Sequence, residues 1–347
     1  MSPRKILLSP LKSIARLLVL LLLIAAAAGL AFGQWANRPL AVPAATPTIE
    51  VTIAPGSSVR AIGAQLGEAH VPISPWLLVA LARVERRATR LQAGTYAVTG
   101  ALTPQTLLDR MEAGDVVRVT LVIPEGWTFA QMRAAVAART DLNQTAVAMS
   151  DTQLMTAIGA DPVSPEGLFF PDTYQFTRGT TDIDLYRRAY RAMQKRLADA
   201  WASRAPDLPL ATPYEALTLA SVVEKETGRP EDRPQVAAVF INRLRRGMLL
   251  QTDPTVIYGM GARFDGNLRK ADLAADTPYN TYMHTGLPPT PIALVGAASL
   301  AAVVNPPRSD ALYFVARGDG SSEFSNGLND HNRAVDRYQR GLSRTRQ

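Results

Sequence analysis

Glu224 and Glu226 stand close together at the end of a helical stretch, where a carboxyl group can do acid–base chemistry. The stretch opens at Thr212-Pro213-Tyr214-Glu215, a capping box with proline at the first helical position. Gly228 and Pro230 stop it. At about 100° per residue, Ala216, Leu219, Ala220 and Val223 form one apolar face. Glu224 borders that face, Glu226 falls on its other flank roughly 160° away, and Lys225 points away from the core. Partial desolvation would let Glu224 hold a proton near neutrality, which is what protonating a glycosidic oxygen requires. A lone glutamate on a helix is more often an ion-paired surface residue, so its surroundings decide.

Those surroundings are rich in sugar-matching groups. Met248 to Gly259 sets Gln251, Thr252 and Asp253 into an apolar loop or strand, and Tyr279, Asn280 and Tyr282 follow near the proline-stiffened Gly286–Ile292 turn. Amides and hydroxyls pair with sugar hydroxyls, and tyrosine rings pack on pyranose faces. These six are the expected substrate-binding residues, with Asp253 and Asp172 as possible second carboxylates.

Other chemistries fail. With no cysteine there are no thiolate nucleophiles, disulfides or cysteine metal sites. His70, His284 and His331 are isolated, so no metal site and no cofactor is expected. Gly259-Met260-Gly261 starts like a dinucleotide loop, but position 264 is Phe. The formal charge of +7 resides at the ends: residues 1–49 carry +5 and the chain from Arg333 onward +4, leaving −2 between. That distribution argues against nucleic acid as a partner.

The elements that must position these residues begin with an uncharged apolar run, Leu17–Gly33, preceded by four cations and followed by Trp35. At ~1.5 Å per residue it can cross a bilayer core. The positive-inside rule leaves residues 1–16 cytoplasmic, the run 17–35 as anchor and the rest exported. A cleaved signal peptide is the alternative. Residues 36–49, with Pro39, Pro43 and Pro47, read as a stiff spacer. Residues 50–123 follow a βααβ pattern similar to small LysM wall-glycan modules. The turns Ile53–Val59 and Ile123–Phe129 echo each other as Ile-x-x-Gly-x-[Ser/Thr]-apolar. Residues 124–337 form the larger mixed part and 338–347 a solvated basic tail. The expected fold class is α+β: an N-terminal transmembrane helix, a small LysM-like subdomain and a larger mixed α/β catalytic domain.

Longer motifs make a family recognisable. Ala220–Thr227, Val239–Leu244, Gly247–Tyr258, Tyr279–Tyr282 and Gly286–Pro289 resemble the MltG (YceG-like) endolytic murein transglycosylase family. Glu166–Tyr174, Leu312–Val315 and His331–Val335 agree, so the resemblance covers essentially the whole chain. One departure is Ser322, which stands where the family often has histidine.

The resemblance implies lytic cleavage of the MurNAc-β-1,4-GlcNAc bond of nascent peptidoglycan at the bacterial inner membrane, ending strand elongation. It implies Glu224 as the catalytic residue and glycan-polymerising synthases as partners. A glycoside hydrolase normally uses two carboxylates. A lytic enzyme needs one acid/base, because the muramic C6 hydroxyl attacks C1 and leaves a 1,6-anhydro end. A water-using muramidase and a non-catalytic wall-binding scaffold remain the competing expectations.

Overall fold

The apolar run 17–33 forms the body of the first helix, α1 (Leu8–Ala36), of which Ser13–Ala36 is long and apolar enough to cross a membrane. The computed structural model describes residues 8–340; the outer parts of the basic head and tail lie outside the described residues. The chain divides into two units, residues 1–119 and 120–347.

In the first unit α1 is followed by β1 (Thr48–Ile53), α2 (Val59–Glu68), α3 (Pro75–Val84), β2 (Gly94–Thr99) and α4 (Pro104–Ala113). β1 and β2 pair antiparallel, with Thr48 opposite Thr99 and Ile53 opposite Gly94, so the βααβ order stands. Strand alternation turns Val51, Ile53, Tyr96 and Val98 inward, each at most 3% exposed. Segment 36–49, read as a stiff spacer from its prolines, also packs onto the first unit. Leu40 donates its N–H to the Leu102 carbonyl at 2.8 Å and shares one core with Ala36 and both strands, while Val42 and Ile49 pack against it. Proline stiffens the backbone there but leaves intervening apolar side chains free to pack.

The second unit contains β3 (Arg118–Val122, which starts at the division), α5 (Phe129–Ala137), α6 (Asp151–Ile158), β4 (Thr173–Thr177) and α7 (Asp182–Ala202). Then come α8 (Pro213–Glu226), α9 (Arg233–Arg245), α10 (Asp253–Met260), α11 (Lys270–Leu273) and α12 (Ala297–Val304). β5 (Tyr313–Ala316), β6 (Ser322–Ser325) and α13 (Leu328–Val335) close the order. β3 pairs with β4, and β5 pairs antiparallel with β6, so this is a mixed α+β structure of helices and two-stranded sheets. The pairing of β3 with β4 carries most of that strand into the second unit, which therefore begins a few residues before the expected 123/124 boundary.

Two departures bear on the site. Residues 253–260, expected as loop or strand, form α10: Asp253-Pro254 supplies an acidic, proline-started first turn. α8 is not amphipathic but buried all round from Ala216 to Val223, because α7, α9, α10 and α12 all pack against it.

The two echoing turns are alike in three dimensions. Gly56 (φ +74°) and Gly126 (φ +75°) take the left-handed conformation, then Ser58 and Thr128 cap α2 and α5. Gly167 is more demanding, since at φ +77° an added Cβ would lie 2.4 Å from the Pro291 Cβ. Gly167→Ala should cost about 2–4 kcal/mol, read as a lowered thermal unfolding midpoint.

Candidate active site

Because α8 is enclosed from Ala216 to Val223, its last turn is where a charged side chain can follow that stretch, and Glu224 emerges there. Its side chain is only 4% exposed. Glu224 Oε2 accepts the Gly296 N–H at 2.9 Å, and Oε1 faces Arg233 Nη2 at 3.4 Å. Both carboxyl oxygens are therefore engaged by donors where the apolar helix ends. Arg233 opens α9, a position where the helix dipole disfavours a cation, and its Nε has no hydrogen-bond partner.

The strand before α5 brings a second acid to the same place. Gly126 N–H donates to the Leu294 carbonyl at 2.9 Å and Leu294 N–H to the Trp127 carbonyl at 2.6 Å. Ser221 Oγ accepts the Ile292 N–H at 2.9 Å, so segment 292–296 runs along the last turn of α8. This bracket lays the Glu125 carboxyl over Gly296, where a Cβ would fall 2.0 Å from Glu125 Oε1. Desolvation first, then the Glu224 charge, push Glu125 above the ordinary carboxylate range, with Arg233 opposing. Neither Asp253 nor Asp172 takes this place: Asp253 accepts from Tyr282 Oη at 2.6 Å and Asp172 from the Thr173 N–H at 2.7 Å.

Most of the expected substrate shell gathers elsewhere. Thr252, 2% exposed, donates its hydroxyl to Glu226 Oε2 at 2.5 Å. Glu226 is raised by burial, and the Asp253 charge adds to that while Thr252 opposes it. Gln251 is exposed with φ +50°, and its Oε1 faces Arg243 Nη1 at 3.4 Å. Arg243 clamps the region through the carbonyls of Leu250 (2.9 Å) and Leu312 (2.7 Å). Asn280 is wholly buried, spending its amide on the Leu273 and Ala275 carbonyls and its Oδ1 on the Tyr282 N–H. It holds a turn and cannot reach a sugar without unmaking it. Thr252, Asp253 and Tyr282 thus attend Glu226, not Glu224.

Tyr279 belongs to a third cluster. Its hydroxyl meets Thr290 Oγ1 at 2.8 Å, and its ring centroid lies 4.9 Å from that of Tyr258. Tyr258 Oη donates to Glu166 Oε2 at 3.1 Å, and Phe129 N–H donates to Glu166 Oε1 at 2.9 Å. Burial pushes Glu166 up to about 7 against these hydrogen bonds. Glu166, Gln131, Lys225, Tyr258 and Phe264 line a cavity of about 800 Å³ at the end of α8. Among the described residues no group of three or more His, Cys, Asp or Glu could hold a metal ion. Ser322 gives its backbone N–H to Asp232 Oδ2 at 2.7 Å.

Glu125, Arg233 and Glu166 were missed as site residues. Two signals existed: the echoing turns carry Pro55 in one copy and an acid, Glu125, in the other, and Arg233 sits at the wrong end of its helix for its charge.

The family model described as YceG-like matches residues 51–337. The chain belongs to the YceG-like family. A relative from Bacillus subtilis (strain 168), named endolytic murein transglycosylase, is 32% identical over 308 residues, covering 84% of this chain and 85% of its own. A relative of the same name from Streptococcus pneumoniae (serotype 2, strain D39) is 30% identical over 83% of this chain, which spans 58% of that protein. The crystal structure of a YceG-like protein from Listeria monocytogenes superposes with a TM-score of 0.52 at 30% identity, covering 82% of this chain and 98% of that one.

Proposed function

We propose that the chain is a membrane-anchored endolytic lytic transglycosylase acting on nascent peptidoglycan, with Glu224 as its acid/base. The observation that carries this reading is the Glu224 carboxyl at the exit of a buried helix, oriented by the Gly296 N–H, with the next residue, Lys225, lining a polar–aromatic cavity. The relatives' name supports it.

The cavity has the makeup of a glycan site: Tyr258 and Phe264 offer ring faces, Gln131 an amide and Lys225 an ammonium. With a strand bound, Glu224 gives a proton to the glycosidic oxygen as the C1–O bond breaks. The muramic C6 hydroxyl oxygen bonds to C1, and its proton returns to the Glu224 carboxylate. No water is consumed, and the strand ends in 1,6-anhydro-MurNAc.

α1 serves as a single-pass anchor in the cytoplasmic membrane with the basic head inside and the chain beyond α1 outside. The βααβ first unit, LysM-like in strand and helix order, supports a wall-glycan contact. Working on nascent strands, the chain has glycan-polymerising synthases as its natural partners.

One observation favours a second reading. Glu125 supplies the neighbouring carboxylate that a water-using muramidase needs. Digesting purified sacculi with the detergent-solubilised chain and weighing the fragments separates the readings. Anhydro-muramic ends support lytic cleavage, ends heavier by one water mean hydrolysis, and intact sacculi leave a wall-binding scaffold.

A further inference from the structure

Glu224 faces Arg233 with one oxygen and takes the Gly296 N–H on the other, so the proton it delivers in each turnover needs a source nearby. We infer that Glu125 is a positioning residue that holds the proton for Glu224, and that Gly296 is required because its bare Cα lets the Glu125 carboxyl reach that position. This inference rests on the assignment of Glu224 as acid/base.

The geometry converges on one residue. Gly296 gives its N–H to Glu224 Oε2, while Glu125 Oε1 occupies the space a side chain at 296 would fill. Two carboxyls that converge on one glycine disfavour each other's charge, and the one without an ion pair, Glu125, is the one pushed toward its protonated form. Arg233 makes that choice, since its Nη2 faces Glu224. Its side chain is nine-tenths buried and its Nε has no partner, so the cluster contains a donor with room for a further acceptor.

The charged groups around Glu125 are few. Glu224 faces it from α8 and Arg233 from α9, and Lys225 reaches the neighbouring Gly126 carbonyl at 3.1 Å. Segment 291–296 and α12 contain no charged residue. Glu125 is an exposed residue whose carboxyl lies over buried Gly296, so it can exchange its proton with water between turnovers.

The step balances. The Glu125 O–H proton passes to the Glu224 carboxylate, which delivers it to the glycosidic oxygen as the C1–O bond breaks. The C6 hydroxyl oxygen forms the new bond to C1, and its proton returns through Glu224 to Glu125. No electrons change hands and no co-reactant is needed.

The test is the pH profile of kcat/KM for sacculus cleavage by the full chain in detergent, comparing wild type with Glu125→Gln, Gly296→Ala and Glu224→Gln. Gly296 has φ −76°, so alanine fits the backbone, and its Cβ displaces the flexible Glu125 carboxyl while the Glu224 hydrogen bond survives. Both Glu125→Gln and Gly296→Ala should lose about tenfold in rate at neutral pH with KM unchanged. The alkaline limb of both profiles should move to lower pH, so that acidification restores the rate, and the ends should stay anhydro. A Glu125→Gln profile superimposable on wild type overturns the inference. So does a folded Glu125→Gln chain dead at every pH, or a wild-type product that has gained water. If instead Glu224→Gln cleaves at full rate, the underlying assignment fails, whatever Glu125 does.

Discussion

A Glu224→Gln chain should release about 10²–10⁴-fold less glycan from sacculi than wild type, because the group that protonates the glycosidic oxygen is gone. Glutamine is nearly isosteric and keeps an oxygen for the Gly296 N–H, so the bracket of segment 292–296 on α8 survives. What disappears is the ability to carry a proton in one step and accept it in the next. The substitution also removes the ion pair with the nine-tenths-buried Arg233 and lowers stability, so digestion belongs well below the unfolding midpoint. Circular dichroism confirms that the variant is folded, and mass spectrometry of the soluble fragments gives the rate. Cleavage at a tenth of the wild-type rate or faster would remove Glu224 from the chemistry.

Glu166 should make the protein more stable in mild acid than at neutral pH. Its carboxyl is 5% exposed and titrates at about 7 in the fold, against 4.5 for the free group. As pH rises from 4.5 to 7 the unfolded chain releases this proton first, so the folded state holds the extra proton and loses stability with each step. The neutral form's advantage is fully present below about 4.5 and gone above about 7, a swing of about 3 kcal/mol from this group alone. Denaturant unfolding between pH 4.5 and 8 measures it. Glu166→Gln, neutral throughout and still able to accept the Phe129 N–H, should flatten that part of the curve. An unchanged slope in the variant would assign the effect to other groups.

Elements with strong local signals were legible in the sequence. The caps at Ser58, Thr103, Thr128 and Thr212 mark helix starts because a hydroxyl satisfies an otherwise free N–H, and all four do so here. The βααβ order followed from alternation and turn residues. α10 was misread because Thr255, Val256 and Ile257 are β-branched, and only tertiary packing makes a helix of them. The site was half legible. Glu224 could be found from its place on the helix, but its partners come from segments about 100 and 70 residues away, Glu125 and Gly296, and no local pattern encodes that meeting. Asn280 misled for a physical reason: an amide suited to a sugar is equally suited to tying three backbone groups of a turn.

The buried positions of Ala36 and Leu40 decide how the apolar helix and the first unit can move together. A helix end that shares a core with the strands it precedes makes a poor swivel, because a change of angle would pull Phe32, Trp35 and Ala36 off that core and open apolar surface to water. The helix is therefore a handle fixed to the βααβ unit, and any tilt it takes among lipids is transmitted to that unit as a whole.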